Sequence, residues 1–112
     1  MHELALTSAI VEMAEEAADG ARVTRVTLLI GRLSGAMPEA IRFCFDEVAR
    51  GTAVEGAALD IVEPEGRARC EACGAEFATP DLLTVCGCGS LAMTRLAGDE
   101  LTIDSIEVEE AA

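Results

Sequence analysis

The feature that most constrains this chain is a set of two closely spaced cysteine pairs in its second half. Cys70 and Cys73 form the first pair, and twelve residues separate it from Cys86 and Cys88. Two such pairs can bring four thiolates to the corners of a tetrahedron at about 2.3 Å from Zn²⁺, which leaves no position open for catalysis. Two disulfides are the alternative, but they require an oxidising compartment and normally a secretory signal. The spacing therefore predicts a closed structural zinc site.

The second cysteine pair is shorter than a regular zinc knuckle, because Gly87 alone separates its two cysteines. We expect a tighter backbone path there, which Gly87 and Gly89 permit since they have no Cβ. The segment around the cysteines is too rich in loops to become ordered by apolar burial alone. Structural zinc supplies on the order of 10 kcal/mol of apparent folding free energy. We therefore expect the metal to be part of the fold of residues 67–96.

The chain is strongly acidic. Asp and Glu total 21 residues against 8 Arg and no Lys, and the net charge is −13. Such a surface repels nucleic-acid phosphates and anionic lipid heads, so we expect neither a nucleic-acid nor a membrane partner. Apolar runs are far shorter than the roughly 20 residues that cross a bilayer, and Glu3 stands where a signal peptide carries positive charge. These features predict a soluble cytoplasmic protein.

Hydrophobic periodicity predicts two amphipathic helices, one over residues 3–18 and one that begins at Pro38 and ends at Gly51. The predicted buried stripe of the first helix consists of Leu6, Ile10, Met13 and Ala17, widened by Val11 and Ala14. The predicted stripe of the second consists of Ile41, Cys44, Phe45 and Val48. Cys44 is interpreted as a small core residue rather than a fifth metal ligand.

Three strands are predicted outside the cysteine segment, over residues 22–30, 58–62 and 101–108, from their β-branched and alternating apolar residues. The cysteine segment therefore interrupts a helix–strand–helix–strand body that the last strand completes. We predict an α+β domain formed by residues 1–66 and 97–112, with an inserted metal-binding module at residues 67–96.

The one histidine of the chain is His2. A histidine at a frayed terminus is normally without function, but here its neighbours supply further donors. The amine of Met1, the amide of His2 and its imidazole can close adjacent chelate rings on one ion, and Glu3 can add an amide nitrogen or a carboxylate. Nitrogen donors in a planar array suit Ni²⁺ or Cu²⁺. The first three residues are therefore a candidate second metal site.

Catalytic machinery is not visible in the sequence. A Ser–His–Asp or Cys–His arrangement cannot be assembled, because the single histidine is terminal and the cysteines are largely assigned to the metal site. The glycine-containing stretch at residues 31–35 lacks the Gly-Lys-Ser/Thr ending of a nucleotide-binding loop. We therefore expect a protein that is not an enzyme.

Several motifs in this order resemble the HypA/HybF family of hydrogenase maturation factors. They are Met1-His2-Glu3 at the start, the strand ending in Ile30-Gly31, the run Phe43-Cys44-Phe45-Asp46, the Gly51-Thr52 and Glu55-Gly56 turns, and the two cysteine pairs. The resemblance covers essentially the whole chain. Each motif alone is weak, and the combination of order and spacing is specific.

The resemblance implies a nickel metallochaperone that delivers Ni²⁺ for [NiFe]-hydrogenase assembly, with the GTPase HypB and the hydrogenase large subunit as partners. It implies nickel at Met1, His2 and Glu3. It implies structural zinc at Cys70, Cys73, Cys86 and Cys88, although the second pair of the family usually has two intervening residues. The implied fold is α+β, with two helices on a three-stranded sheet (the nickel domain, residues 1–66 and 97–112) and a zinc-ribbon-like module (residues 67–96) before the last strand.

Two other functions are compatible with the cysteine spacing. Four cysteines around one iron would form a rubredoxin-like electron-transfer centre, and such a protein would be red. A zinc-stapled interaction adaptor would bind no transferable metal. Nickel titration separates this adaptor from the metallochaperone.

Overall fold

Two helices and six strands form the chain, in a computed structural model that describes residues 2–109. In chain order they are α1 (Glu3–Ala18), β1 (Val23–Ile30), α2 (Pro38–Ala49), β2 (Ala58–Val62), β3 (Arg67–Cys70), β4 (Glu76–Ala78), β5 (Met93–Ala97) and β6 (Leu101–Val108). One three-stranded sheet has the order β2-β1-β6, and a second has the order β4-β3-β5. The predicted α+β class, with two helices and a three-stranded sheet in the body, is confirmed.

The chain divides into two compact units. Of the described residues, the first unit contains 2–28, 36–61 and 102–109. Its helices α1 and α2 pack against each other. Its buried apolar side chains come from both helices, from β1 and from the turn before β2, and they include Ile10, Val11, Val23, Val26, Leu28, Ile41, Phe45 and Val54. This unit therefore has an ordinary apolar core.

The buried face of α1 differs from the predicted stripe. Ile10, Val11 and Ala14 are buried as predicted. Met13 is 52% exposed and Ala17 is exposed, whereas Thr7, which lies outside the predicted stripe, is fully buried. The Thr7 hydroxyl donates a hydrogen bond of 2.6 Å to the carbonyl oxygen of Glu3 one turn earlier. Burial of this threonine therefore leaves no hydroxyl unpaired, and the helix turns a partly polar face to the core.

The second unit contains residues 29–35 and 62–101. Its central strand β3 pairs antiparallel with both β4 and β5, so that Ala68 lies opposite Phe77 on one side and Arg95 on the other. These three short strands were not predicted from the sequence. Within residues 62–101 the buried apolar side chains are only Ala68, Cys70 and Cys86. The core of this segment is therefore made largely of cysteine.

Residues 29–35 belong to this second unit, in addition to the predicted module at 67–96. The amide of Gly31 donates to the carbonyl of Glu100 at 2.8 Å, and the amide of Leu33 donates to that of Gly98. A Cβ on Gly31 would overlap the carbonyl group of Gly98. Glycine thus permits the close approach of two backbones, and this approach ties the loop after β1 to the turn before β6.

Candidate metal centre

The first half of the cysteine site is a turn between β3 and β4. Cys70 ends β3, where its amide donates to the carbonyl of Ala75 at 2.8 Å, and its own carbonyl accepts from the amide of Gly74 at 2.9 Å. Gly74 has a φ of 78°, a left-handed conformation that glycine adopts without a Cβ penalty. This hydrogen-bonded turn brings Cys73 back beside Cys70.

The second half of the site is closed by a shorter turn. The amide of Gly89 donates to the carbonyl of Cys86 at 2.9 Å, and Gly89 has a φ of 88°. A Cβ on Gly87 would meet no atom within 4 Å, and Gly87 has no positive φ. The tighter path expected from the sequence is therefore present, and Gly89 is the glycine that it requires.

The four cysteines of the two pairs form one cluster. Their Sγ atoms all lie within 4.8 Å of one another. The Sγ atoms of Cys70 and Cys88 are 3.7 Å apart, and those of Cys73 and Cys86 are 3.5 Å apart. Four sulfurs at about 2.3 Å from one zinc ion would be separated by about 3.8 Å, whereas disulfide sulfurs are bonded at about 2.05 Å. The cluster therefore has the dimensions of a tetrahedral thiolate site and contains no disulfide.

The electrostatics of the cluster favour a cation. A backbone hydrogen bond from Cys73 lowers the pKa of Cys70 to about 6 against the opposing effect of burial. At Cys86 a backbone hydrogen bond from Cys88 lowers the pKa, but the thiols of Cys73 and Cys88 and burial together raise it to about 12. Neighbouring sulfurs cannot all be negative unless a positive ion compensates them. The residues present therefore fit a thiophilic metal ion, and Zn²⁺ is one such ion.

Cys44 belongs to α2 in the first unit, where it is half-buried and free. Among the described residues, the group of possible ligands around the four clustered sulfurs does not include it. This position agrees with its interpretation as a packing residue.

The predicted second metal site is described only in part, because Met1 lies outside the described residues. His2 is exposed and stands immediately before α1, with no hydrogen bond from its side chain to the helix. Glu3 is buried, and its Oε2 accepts a hydrogen bond of 3.2 Å from the amide of Met37 just before α2. The imidazole is therefore open to a ligand, while the Glu3 carboxylate contacts the start of α2.

No helix among residues 2–109 has the length and apolar character that a membrane span requires.

The chain matches a family model described as "Hydrogenase/urease nickel incorporation, metallochaperone, hypA" over residues 1–108.

Curated relatives match over almost their full length. A hydrogenase maturation factor HypA of Trichormus variabilis is 51% identical over 110 residues, which cover 98% of this chain and 97% of the relative. The HypA of Geobacter metallireducens is 44% identical over 110 residues, which cover 97% of this chain and 100% of the relative. The solution structure of the Ni metallochaperone HypA from Helicobacter pylori superposes with a TM-score of 0.70 at 28% identity, over 96% of this chain and 97% of that chain. The chain therefore belongs to the HypA family of hydrogenase maturation factors.

Proposed function

We propose that this chain binds Ni²⁺ at its N-terminus and delivers it for the maturation of [NiFe]-hydrogenase, while Cys70, Cys73, Cys86 and Cys88 hold a structural Zn²⁺. The observation that carries the proposal is the match to a nickel-incorporation family over residues 1–108. That family consists of metallochaperones rather than catalytic enzymes, in agreement with the absence of catalytic motifs from the sequence.

The thiolate cluster supports zinc as the resident metal. All four sulfurs come from the protein, so a tetrahedral ion has no open position for a substrate. Zinc bound there would fix the fold of the second unit rather than leave with a partner. The assignment of residues 67–96 as a zinc module follows from this role.

The start of α1 supports nickel as the transferable metal. The first four N–H groups of a helix have no partner within the helix, so the amide of Glu3 is not needed by the helical ladder. The His2 imidazole is exposed next to it. With the amine of Met1, these nitrogens would provide the adjacent donors that Ni²⁺ prefers, in a nickel domain of residues 1–66 and 97–112.

The partners proposed for delivery are the GTPase HypB and the hydrogenase large subunit, in the cytoplasm. The ion at the N-terminus must approach both its source and its destination. We therefore expect HypB to bind the unit that contains His2 rather than the cysteine segment.

The test is a nickel titration by calorimetry on tag-free protein and on His2→Ala. We expect about one Ni²⁺ per chain in the unmodified protein and no measurable binding in His2→Ala, because the variant loses its imidazole donor. Zinc content and the circular dichroism of the two proteins should be the same, because an exposed terminal side chain contributes little to the fold. Equal nickel affinity in the two proteins would rule out the N-terminal site.

A further inference from the structure

The closest sulfur contacts in the cysteine cluster cross from one half of the site to the other. The Sγ atoms of Cys70 and Cys88 lie 3.7 Å apart, and those of Cys73 and Cys86 lie 3.5 Å apart. These two contacts, called the crossed pairs below, each join one cysteine of the first half-site to one of the second. All four cysteines are free thiols. Because disulfide sulfurs are about 2.05 Å apart, each crossed pair needs a further approach of about 1.5 Å to form a bond.

Both crossed pairs combine an exposed cysteine with a buried one. Cys73 and Cys88 are exposed, whereas Cys70 and Cys86 are buried. A small reagent in solution therefore meets Cys73 and Cys88 first, and each of these has a buried thiol beside it. An accessible thiol next to a second thiol that can resolve its oxidised form is the arrangement of redox-sensitive cysteine sites.

We propose that the cluster is a redox switch, in which peroxide converts the four thiolates into the disulfides Cys70–Cys88 and Cys73–Cys86 and thereby releases the bound zinc. This inference rests on the proposed function, which supplies the zinc. Disulfides in a reducing cytosol are usually transient and redox-sensing. In the proposed compartment the thiolate form is therefore the resting state, and the disulfide form is the response to an oxidant.

The reaction balances with hydrogen peroxide as the oxidant. The Cys73 thiolate attacks one peroxide oxygen, the O–O bond breaks, and a sulfenic acid and a hydroxide ion are formed. The Cys86 thiolate then attacks the sulfenic sulfur, which forms the S–S bond and expels a second hydroxide. Two thiolates thus lose two electrons to one peroxide. Cys88 and Cys70 repeat the two steps with a second peroxide.

Formation of both disulfides removes every protein ligand from the metal. Thiolate is the form of cysteine that binds a metal ion, and a disulfide sulfur carries no negative charge. Two peroxides per chain are therefore sufficient to release the zinc.

The disulfides would replace the metal as a cross-link between the half-sites. The loop closed by Cys73–Cys86 lies within the loop closed by Cys70–Cys88. Disulfides restrict the unfolded chain, and the segment 62–101 buries few apolar side chains that could do so instead. The oxidised form therefore keeps the two half-sites together without metal, and reduction returns the four ligands to one place.

The experiment treats the tag-free, zinc-containing chain with increasing amounts of hydrogen peroxide. A chromophoric chelator should record complete zinc release near two peroxides per chain, since each peroxide oxidises two thiolates. A dimedone trap for sulfenic acid should label Cys73 and Cys88 before Cys70 and Cys86.

The disulfides are identified by partial reduction, cyanylation and backbone cleavage at the modified cysteines, followed by mass spectrometry. This method distinguishes Cys86 from Cys88 although only Gly87 lies between them. The expected bonds are those of the crossed pairs. Treatment with a phosphine reductant and Zn²⁺ should restore the original zinc content.

Cys44→Ala is the matched control. It removes a free cysteine of α2 that, among residues 2–109, does not belong to the cluster. Zinc release at each peroxide concentration should stay within about twofold of the unmodified chain, with the same two disulfides.

Two results would overturn the switch. One is zinc retained under excess peroxide. The other is oxidation that yields sulfinic acids or the bonds Cys70–Cys73 and Cys86–Cys88 instead of the crossed pairs. Elemental analysis before the peroxide treatment tests the proposed function separately. A chain isolated without zinc would contradict the structural metal, and disulfide mapping of that same chain still decides whether the crossed pairs form.

Discussion

At the scale of single residues, the two glycines beside Cys88 have different roles. Gly89 closes the second half-site with a φ of 88°, a conformation that costs an L-residue about 1–2 kcal/mol. Gly87 has open space where a Cβ would be and needs no positive φ. The shortened cysteine pair therefore depends on one glycine rather than on both.

This difference predicts unequal effects of two alanine substitutions. Gly89→Ala should strain the turn and weaken zinc retention about tenfold, whereas Gly87→Ala should stay within about twofold of the unmodified chain. Competition with a chromophoric chelator measures both. Equal zinc retention in the two variants would show that the turn tolerates a side chain at Gly89.

The residues of the cysteine site could be predicted from the sequence because their ligand pairs are close in the chain. The burial of Glu3 could not, since its carboxylate contacts an amide 34 positions away. The buried face predicted for α1 was wrong at Met13, Ala17 and Thr7 for a related reason. Thr7 enters the core because its hydroxyl bonds to the preceding turn, whereas a count of apolar residues favours Met13.

Among the helices and strands, the sequence predicted the elements whose own residues show a clear hydrophobic periodicity. The bounds predicted for α1, β2 and β6 agree with the structure, and α2 begins at Pro38 as expected. Strands β3 and β4 were missed because they are only four and three residues long, and β5 was missed because its residues Met-Thr-Arg-Leu-Ala do not alternate between polar and apolar. Such strands carry too little alternation to be recognised, and their order depends on pairing and on the cysteine cluster.

The small number of buried apolar side chains in residues 62–101 predicts that the order of this segment depends on a bound metal. Removal of zinc by a chelator, or Cys73→Ala, should abolish the slow amide exchange of β3, β4 and β5, because residues 62–101 bury only Ala68, Cys70 and Cys86 as apolar side chains. The amides of α1 and α2 should stay protected, since they pack on an apolar core. Hydrogen exchange followed by mass spectrometry separates the two sets. Protected amides in β3–β5 after complete zinc removal would contradict a structural role for the metal.

For the molecule as a whole, the proposed zinc site would combine two kinds of stabilisation in one chain of 112 residues. The first unit is held by apolar packing, and the second is expected to be held by metal–thiolate bonds. A chain that carries a transferable ion must keep it separate from a resident one. In the proposed function, thiolate and nitrogen donors would provide that separation chemically, because zinc would favour the tetrahedral sulfur site and nickel the planar nitrogen site.

Native mass spectrometry of the tag-free chain, after incubation with Ni²⁺ and removal of the excess, counts the two proposed metal ions separately. The unmodified chain should carry one zinc and one nickel, and His2→Ala should carry the zinc alone. A chain that holds a single ion, with nickel in place of zinc, would contradict two separate metal sites. Nickel bound equally by His2→Ala would contradict the placement of the nickel site at the N-terminus.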